Sequence, residues 1–154
     1  MIHVFDLDDT LLMSDSYNEY NDIKIDLRLN ELLSDLNNKY IFTNGTYGHA
    51  FKSISYMNLP KFNGILARDN LYMNQPLKPV IDLFYYVHNY IYNHNYSTLC
   101  QSIIFYDDML ENLESAKKLG WITIWIHPES YKKSIYTYVD KAYPDIVTAL
   151  RDLI

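Results

Sequence analysis

Short apolar runs alternate along the chain with longer stretches in which apolar residues recur at helical spacing. The short runs are typical of buried strands, and they predict five of them: Ile2–Leu7, Tyr40–Thr43, Gly64–Ala67, Ser102–Tyr106 and Trp121–Ile126. The longer stretches predict five helices: Leu27–Leu36, Tyr47–Met57, Pro79–Tyr92, Glu111–Leu119 and Ile146–Leu153. Nearly continuous apolar strands that alternate with helices are typical of a parallel sheet covered on both faces. We therefore expect an α/β fold with three layers, α/β/α, around a central parallel five-stranded sheet, in a single domain over residues 1–154.

Proline and glycine mark two of the predicted helix ends. Pro79 suits the first position of a helix, because the N–H that it lacks would have no partner there. Gly120 suits the C-cap of the helix before it. The helix over Pro79–Tyr92 is apolar almost all round, so we expect it to be deeply buried or to form a subunit contact. Its tyrosines are interpreted as packing residues or as a surface for a homodimer.

Polar residues follow three of the predicted strands at the point where each strand ends. In parallel α/β sheets, ligands bind beyond the carboxyl ends of the strands. The residues found at these ends are Asp6, Asp8 and Asp9, then Thr43 and Asn44, then Asp107 and Asp108. The sequence therefore predicts a functional site at this edge of the sheet.

The aspartates of the predicted site suit acid–base chemistry and metal binding. Asp6 and Asp8 lie two positions apart, so one carboxylate could attack or bind metal while the other transfers a proton. Asp107 and Asp108 complete an acidic cluster whose charges would repel one another without a cation. Because carboxylate oxygens are hard ligands, we expect the cation to be Mg²⁺.

Other residues near the strand ends suit a phosphate group. Thr43 offers a hydroxyl and Lys78 an ammonium group to phosphate oxygens. Asn44 and Gly45 are expected to open the second helix, whose free N–H groups favour an anion. Thr43 is also a candidate N-cap for that helix.

Four motifs, in order along the chain, resemble the signatures of the haloacid-dehalogenase-like (HAD) superfamily of phosphohydrolases. They are Asp6–Leu11 (DLDDTL), Phe42–Gly45 (FTNG), Leu77–Pro79 (LKP) and Phe105–Asn112 (FYDDMLEN). The fourth motif, with Ala116–Trp121 (AKKLGW) after it, is similar to the pyrimidine 5′-nucleotidase-like branch, which has a paired aspartate and an Asn four residues on. The resemblance implies a Rossmann-like HAD fold.

The resemblance also implies a mechanism. Asp6 would attack phosphorus and form an aspartyl-phosphate, while Asp8 would protonate the leaving oxygen and then deprotonate the water that hydrolyses the intermediate. Mg²⁺ would be held by the Asp6 carboxylate, the Asp8 backbone carbonyl and an acid of the fourth motif. Asp108 is favoured as that acid, and Asp107, which stands where the family often has Gly, is either a ligand or a supporting residue. Family members that act on haloacids typically lack an acid at the position of Asp8, so its presence favours phosphate-ester hydrolysis.

The same resemblance implies roles for the remaining motif residues. Thr43, Asn44 and Lys78 would bind the phosphoryl group. Thr10 would cap or steer the turn behind the nucleophile, and Asn112 would orient the metal-site acids.

The spacing of the motifs bears on the substrate. Thr43 follows Asp6 by 37 positions and Lys78 follows Asp69 by 9, so neither gap holds the cap domain that many HAD enzymes insert there. The resemblance thus implies a capless phosphatase, with a small phosphorylated molecule such as a 5′-nucleotide favoured as substrate. Phosphoprotein or nucleic-acid ends remain as alternative substrates, and a non-enzymatic binding module remains as an alternative class.

Composition and charge limit the partners and the cellular location that we expect for the protein. The formal charge is −6, which disfavours a sequence-independent nucleic-acid clamp without closing the question of nucleic-acid partners. No apolar stretch reaches the roughly 20 residues that span a bilayer, so we expect a cytoplasmic protein without membrane contact. The single Cys100 excludes an intramolecular disulfide. None of the histidines has metal-ligand spacing, and a contact of His49 with substrate, one turn into the second helix, is the less favoured interpretation of that residue.

Overall fold

The computed structural model of the protein describes residues 1–71, 76–94 and 101–154. Cys100 lies outside the described residues. Within these residues there are six strands: β1 Ile2–Phe5, β2 Lys39–Phe42, β3 Gly64–Leu66, β4 Ile103–Asp107, β5 Ile122–Ile126 and β6 Lys141–Tyr143. Five α-helices accompany them: α1 Leu27–Ser34, α2 Tyr47–Tyr56, α3 Ile81–His94, α4 Leu110–Lys118 and α5 Ile146–Leu153. Three short 3₁₀ helices cover Ser14–Ser16, Tyr20–Asp22 and Ser130–Ile135.

The six strands form one parallel sheet in the order β3-β2-β1-β4-β5-β6. The α/β class and the parallel sheet are confirmed, but the prediction of five strands is wrong by one. The missed strand, β6, is only three residues long and pairs at the sheet edge with β5 alone. Its sequence, KAY, has no apolar run because none of its residues is fully buried.

The sheet is covered on both faces, which confirms the three layers. Successive residues of β1 point to opposite faces, so Val4 packs in one core and Phe5 in the other. One core contains the buried faces of α1, α2 and α5, and the other contains those of α3 and α4. The strand order reverses at β1, because β2 lies on one side of it and β4 on the other. In open α/β sheets, a crevice for ligands forms at this kind of reversal.

Two helix ends differ from the predictions. The N-cap of α2 is Thr46, whose Oγ1 accepts a hydrogen bond from the backbone N–H of His49, so Thr43 does not cap this helix. Asn44 and Gly45 therefore precede the cap instead of opening the helix. Helix α3 begins at Ile81, and the Lys78–Pro79 peptide bond before it is cis. Gly120, with φ of +78°, follows α4 in the left-handed conformation that the predicted C-cap requires.

Helix α3 is buried on one side only. Its inner face packs in the core shared with α4. Tyr85 and Tyr86 are exposed on the other side, where the amphipathic tyrosine ring tolerates water. The tyrosines thus explain why the helix looks apolar all round without being fully enclosed. Among the described residues, no helix is both long enough and apolar enough to cross a membrane.

Candidate active site

The site begins where three neighbouring strands end. Asp6 directly follows β1, Thr43 directly follows β2, and Asp107 is the last residue of β4. The pairing of Phe5 with Tyr106 in the β1–β4 ladder places Asp6 beside Asp107. The backbone N–H of Asp6 donates to the carbonyl of Tyr106 at 2.9 Å, so the ladder continues to the site. Residues far apart in sequence therefore meet because their strands are neighbours.

Lys78 lies at the centre of these strand ends. Its Nζ donates to Asp6 Oδ1 at 2.9 Å, to Asp107 Oδ2 at 2.8 Å and to the carbonyl of Phe42 at 2.9 Å. These contacts use all three N–H groups of the ammonium. Only 1% of the Lys78 side chain is exposed, so its charge is balanced almost entirely by protein groups.

Asn44 holds the backbone of Lys78 in place. Its Nδ2 donates to the Lys78 carbonyl at 3.1 Å, and its Oδ1 accepts from the Lys78 N–H at 2.8 Å. Both ends of the carboxamide are therefore engaged in fixing the loop that carries the lysine. In this structure the Asn44 side chain is a support for Lys78, whereas the sequence predicts a phosphate contact.

Three carboxylates form a cluster that includes the two partners of this lysine. Asp6, Asp107 and Asp108, hereafter the acidic cluster, each offer an oxygen within 4.8 Å of the others. Burial is the main cause that raises the pKa of Asp6 to about 8. Lys78 opposes this rise in pKa, and Asp107 adds to it. Burial, reinforced by Asp107, likewise raises the pKa of Asp108 to about 6. For Lys78, burial works against the charge, but the carboxylates outweigh it and raise the pKa to about 12.

The charges of these four groups do not balance. The acidic cluster and Lys78 carry a net charge of −2 when all four groups are ionised. One ammonium held by two carboxylates is strongly stabilised, while three carboxylates that share one ammonium are not. A divalent cation would supply the missing positive charge, and the ligands offered are hard oxygens. The residues present therefore fit Mg²⁺.

Asp107 and Asp108 have different surroundings. Asp107 is fully buried, and its carboxylate accepts from Lys78, from the Met109 N–H at 2.8 Å and from Asn112 Nδ2 at 3.1 and 3.0 Å. These four contacts occupy about as many positions as a carboxylate has lone pairs. Asp108 is partly exposed, and its backbone carbonyl accepts from Trp125 Nε1 at 2.9 Å. The structure thus brings Asn112 to Asp107 and leaves the Asp108 carboxylate as the more accessible of the pair.

A tight turn carries the chain from Asp6 to Asp8 and away from the sheet. Asp9 adopts a φ of +61°, a left-handed conformation that Asp tolerates better than most residues. Its Oδ1 accepts from the N–H of Ser14 at 2.9 Å and from Ser14 Oγ at 2.6 Å, which anchors the turn. The buried Thr10 hydroxyl donates to Asp6 Oδ2 at 3.4 Å. Thr10 thus contacts the side chain that the sequence predicts as the nucleophile.

Asp8 has a partner that the sequence does not reveal. His49 Nε2 lies 2.8 Å from Asp8 Oδ1, and His49 Nδ1 lies 2.7 Å from the Tyr20 hydroxyl. The position of His49 in the first turn of α2 is visible in the sequence, but the contact with Asp8 is not. Tyr20 lies in a stretch without helical or strand periodicity, so no pattern points to it. The side chain of Asp8 is 40% exposed and that of His49 is 24% exposed.

Gly45 provides the space in which these residues meet. Thr43 is buried, and its Oγ1 accepts from the Gly45 N–H at 3.0 Å. A Cβ atom on Gly45 would lie 3.3 Å from Thr43 Oγ1, 3.3 Å from His49 Cδ2 and 3.7 Å from Asp8 Oδ2. The second oxygen of Asp8 therefore faces the same small space as the Thr43 hydroxyl.

The first turn of α2 is less available to an anion than the sequence predicts. The Tyr47 N–H donates to Asp69 Oδ1 at 2.7 Å, and the His49 N–H donates to Thr46. Two of the first N–H groups of the helix are thus satisfied by side chains. This capping turn follows Gly45 and stands between that residue and the helix.

The strand order and the helices on both faces of the sheet define a three-layer α/β fold, with the acidic cluster at the ends of its central strands. No protein-family model matches the sequence, and no curated protein does. Solved structures do match. The core domain of a protein assigned as a phosphoglycolate phosphatase, from Streptococcus pneumoniae TIGR4, has a TM-score of 0.57 at 15% identity, over 99% of this chain and 93% of that one.

L-2-haloacid dehalogenase from Xanthobacter autotrophicus, with chloropropionic acid covalently bound, has a TM-score of 0.58 at 15% identity. The same dehalogenase in a second structure has a TM-score of 0.56 at the same identity. The match covers 82% of this chain but only 58% of the dehalogenase. At such identities these likenesses establish the fold alone.

Proposed function

We propose that the protein is a Mg²⁺-dependent phosphomonoester hydrolase that works through an aspartyl-phosphate on Asp6. The observation that carries the proposal is the contact of the buried Lys78 ammonium with Asp6 and Asp107 at the ends of β1 and β4, with Asp8 two residues after Asp6. This arrangement combines a nucleophile, a fixed positive charge and a second, accessible carboxyl group. Phosphoryl transfer depends mainly on positioning and on stabilising negative charge, and these groups supply both.

The reaction would proceed in two steps. Asp6 would attack phosphorus while Asp8 donates a proton to the leaving oxygen, which departs with the electron pair of the broken P–O bond. Asp8, now ionised, would then take a proton from the water that attacks the phosphoryl group and frees Asp6. The 40% exposure of the Asp8 side chain suits this role, because it must reach both the leaving group and water. General acid–base catalysis of this kind contributes about 10²- to 10⁴-fold in rate.

Lys78 and Thr43 would act on the phosphoryl group without taking part in proton transfer. Lys78 contacts Asp6 directly, so its charge lies beside the atom that attacks phosphorus. Thr43 shares the space around Gly45 with Asp8 and would offer its hydroxyl to a phosphoryl oxygen. Asn44 would act through Lys78 by holding its backbone.

The metal would be held by the carboxylates of Asp6 and Asp108 with the backbone carbonyl of Asp8. Asp107 fits a supporting role better, because its oxygens already accept four hydrogen bonds. When bound, Mg²⁺ would neutralise the acidic cluster and withdraw charge from the phosphoryl oxygens.

A small phosphomonoester, with 5′-nucleotides foremost, is the substrate class that the fourth motif favours. One observation favours a larger substrate as the second candidate. A groove of about 1020 Å³ runs past Leu12, which forms a bridge with Asp8. Its charged lining consists of three basic residues, Lys24, Arg28 and Arg151, and two acidic ones, Asp26 and Asp145. A phosphopeptide or a nucleic-acid end could extend along this groove from the site.

The test is phosphate release from a panel of nucleotides, sugar phosphates, a phosphopeptide and a 3′-phosphorylated oligonucleotide, with Mg²⁺ or with EDTA. Asp6→Asn should abolish release, and the exposed Asp35→Asn serves as the matched control that should not. Halide release from 2-chloropropionate is measured in parallel, because the fold is shared with a haloacid dehalogenase. Halide release without phosphate release would refute the proposal. No release of either kind from a folded, Mg²⁺-binding protein would favour a binding module instead.

A further inference from the structure

Three side chains form a continuous hydrogen-bonded array that the proposed mechanism does not use in full. Tyr20, His49 and Asp8 are joined by contacts of 2.7 and 2.8 Å through the two ring nitrogens of His49. The three residues come from two separate segments: Asp8 and Tyr20 lie between β1 and α1, and His49 lies in the first turn of α2. The array therefore ties the loop that carries Asp8 to a rigid helix.

The direction of the hydrogen bonds follows from the chemistry of the groups. An ionised carboxylate only accepts, so His49 Nε2 must donate to Asp8 Oδ1. In a neutral imidazole the other nitrogen then accepts, so the Tyr20 hydroxyl donates to His49 Nδ1. Tyr20 thus selects the imidazole tautomer that can hold Asp8.

This arrangement makes the two oxygens of Asp8 unequal. Oδ1 is engaged by His49, while Oδ2 faces the space beside Gly45 and the Thr43 hydroxyl. We propose that His49 is a positioning residue that reserves Oδ2 of Asp8 for proton transfer, and that Tyr20 positions His49. The inference rests on the proposed phosphatase function and adds to it the oxygen that handles the proton and the residues that orient it.

Both ends of the array are held by their own surroundings. The Tyr20 ring stacks on Tyr56 of α2 at 5.6 Å between centroids, and Lys52 Nζ lies 5.6 Å from the same ring. The 3₁₀ turn that carries Tyr20 is fixed by Asp22, whose Oδ2 accepts from the Glu19 N–H at 2.9 Å. The backbone of His49 is fixed by the N-cap of α2. An array anchored in this way can hold Asp8 in one orientation even though Asp8 is partly exposed.

The two proton transfers of the proposed reaction require Asp8 to keep one orientation. In the first step the Oδ2–H bond breaks as the leaving oxygen takes the proton, and in the second step Oδ2 takes a proton from the attacking water. The same atom must therefore face the leaving group and then the water, while Oδ1 stays bound to His49. Misplacement of a reacting group by about 1 Å can lower a rate about 10²-fold.

The test exploits leaving groups of different basicity, since a good leaving group needs no proton. The ratio kcat/KM reports the steps through departure of the leaving group, and it is measured for 4-nitrophenyl phosphate and for an alkyl phosphate. For His49→Ala we expect kcat/KM on the alkyl phosphate to fall by about 10- to 100-fold, with a change of less than about threefold on 4-nitrophenyl phosphate. Tyr20→Phe should show the same selectivity with a smaller loss. His49→Gln, which keeps a donor towards Asp8, should recover part of the rate.

Two controls separate a positioning role from a general effect on folding. Tyr56→Phe removes a hydroxyl from the ring that stacks on Tyr20, and His94→Gln removes an exposed imidazole at the end of α3. Both should leave the two kcat/KM values unchanged. The inference would be overturned if kcat/KM of His49→Gln and Tyr20→Phe fell equally on both substrates. It would also be overturned if kcat/KM of neither variant fell on the alkyl phosphate. A wild-type protein that hydrolyses neither substrate would instead remove the proposed function on which the inference rests.

Discussion

Removal of the buried Lys78 ammonium should destabilise the protein far more than removal of a surface lysine whose ion pair has a similar N···O distance. Lys78→Met keeps the length of the side chain but deletes its charge and three hydrogen bonds, to Asp6, Asp107 and the Phe42 carbonyl. The fully buried Asp107 carboxylate then loses its cationic partner. Because the side chain of Asp6 is only 10% exposed and that of Asp107 is not exposed at all, water solvates these carboxylates poorly once the ammonium is gone.

The size of the effect follows from this burial. Breaking a buried ion pair by removing one partner costs about 3 to 5 kcal/mol, because the other charge stays buried without compensation. In a domain of this size, 1 kcal/mol corresponds to roughly 2 to 4 °C in melting temperature, so Lys78→Met should melt about 6 to 20 °C lower. The matched control is Lys117→Met. Lys117 pairs with Asp140 at 2.7 Å, but its side chain is 38% exposed, and an exposed pair contributes about 0 to 1 kcal/mol.

The assay is urea unfolding in EDTA, followed by the fluorescence of the buried Trp121 and Trp125. The free energy of unfolding of Lys78→Met should fall by at least about 3 kcal/mol relative to wild type. Addition of Mg²⁺ should recover part of the loss, because a ligand that binds only the folded state stabilises it. Equal losses for Lys78→Met and Lys117→Met would refute the reasoning, since burial would then make no difference.

Three further results are expected from the same site. Because the pKa of Asp6 is raised to about 8, the folded protein keeps a proton that the unfolded chain, with an ordinary carboxyl pKa, has already released between about pH 5 and pH 8. The free energy of unfolding in EDTA should therefore fall as the pH rises through this range. Asp6→Asn should flatten this dependence. Asn112→Ala leaves Asp107 without two contacts and should lower the free energy of unfolding by about 1 to 3 kcal/mol, measured by urea unfolding. Gly45→Ala places a methyl 3.3 Å from His49 Cδ2, so kcat should fall while the melting temperature changes little.

Each of these expectations has a clear contrary outcome. Stability that rises with pH over the same range would mean that the Asp6 carboxyl is not held protonated in the folded protein. An unchanged unfolding curve for Asn112→Ala would mean that its contacts with Asp107 do not stabilise the fold. Full activity of Gly45→Ala would mean that the space around Gly45 is not used in the reaction.

The sheet and the positions of the candidate site residues at its strand ends could largely be predicted from the sequence. Strands β1, β2 and β4 are mostly apolar because both of their faces are buried, and clusters of polar residues stand out where these runs end. The site is built on these ends. By contrast, β6 lies at the edge of the sheet and is only partly buried, so nothing in its three residues distinguishes it from a loop.

The contacts within the site depend on tertiary structure and could not be predicted. Asn44 and the Lys78 backbone are 34 residues apart, and Tyr20 and His49 are 29 apart, so no local spacing relates them. Two threonines, Thr43 and Thr46, are equally suited by residue type to cap α2, and only the path of the loop decides between them. Similarly, Asp107 and Asp108 differ because hydrogen-bond donors from Lys78, Met109 and Asn112 surround the Asp107 carboxylate.

The central claim is that Asp6 forms the covalent intermediate. The most direct measurement is rapid acid quenching of the protein during turnover of 4-nitrophenyl phosphate with Mg²⁺, followed by mass spectrometry of the peptide that contains Asp6. We expect one added phosphoryl group on Asp6, greater accumulation in Asp8→Asn, where hydrolysis of the intermediate is slowed, and none in Asp6→Asn. Phosphate release that persists in Asp6→Asn, or a phosphoryl group found on a different residue, would contradict the claim.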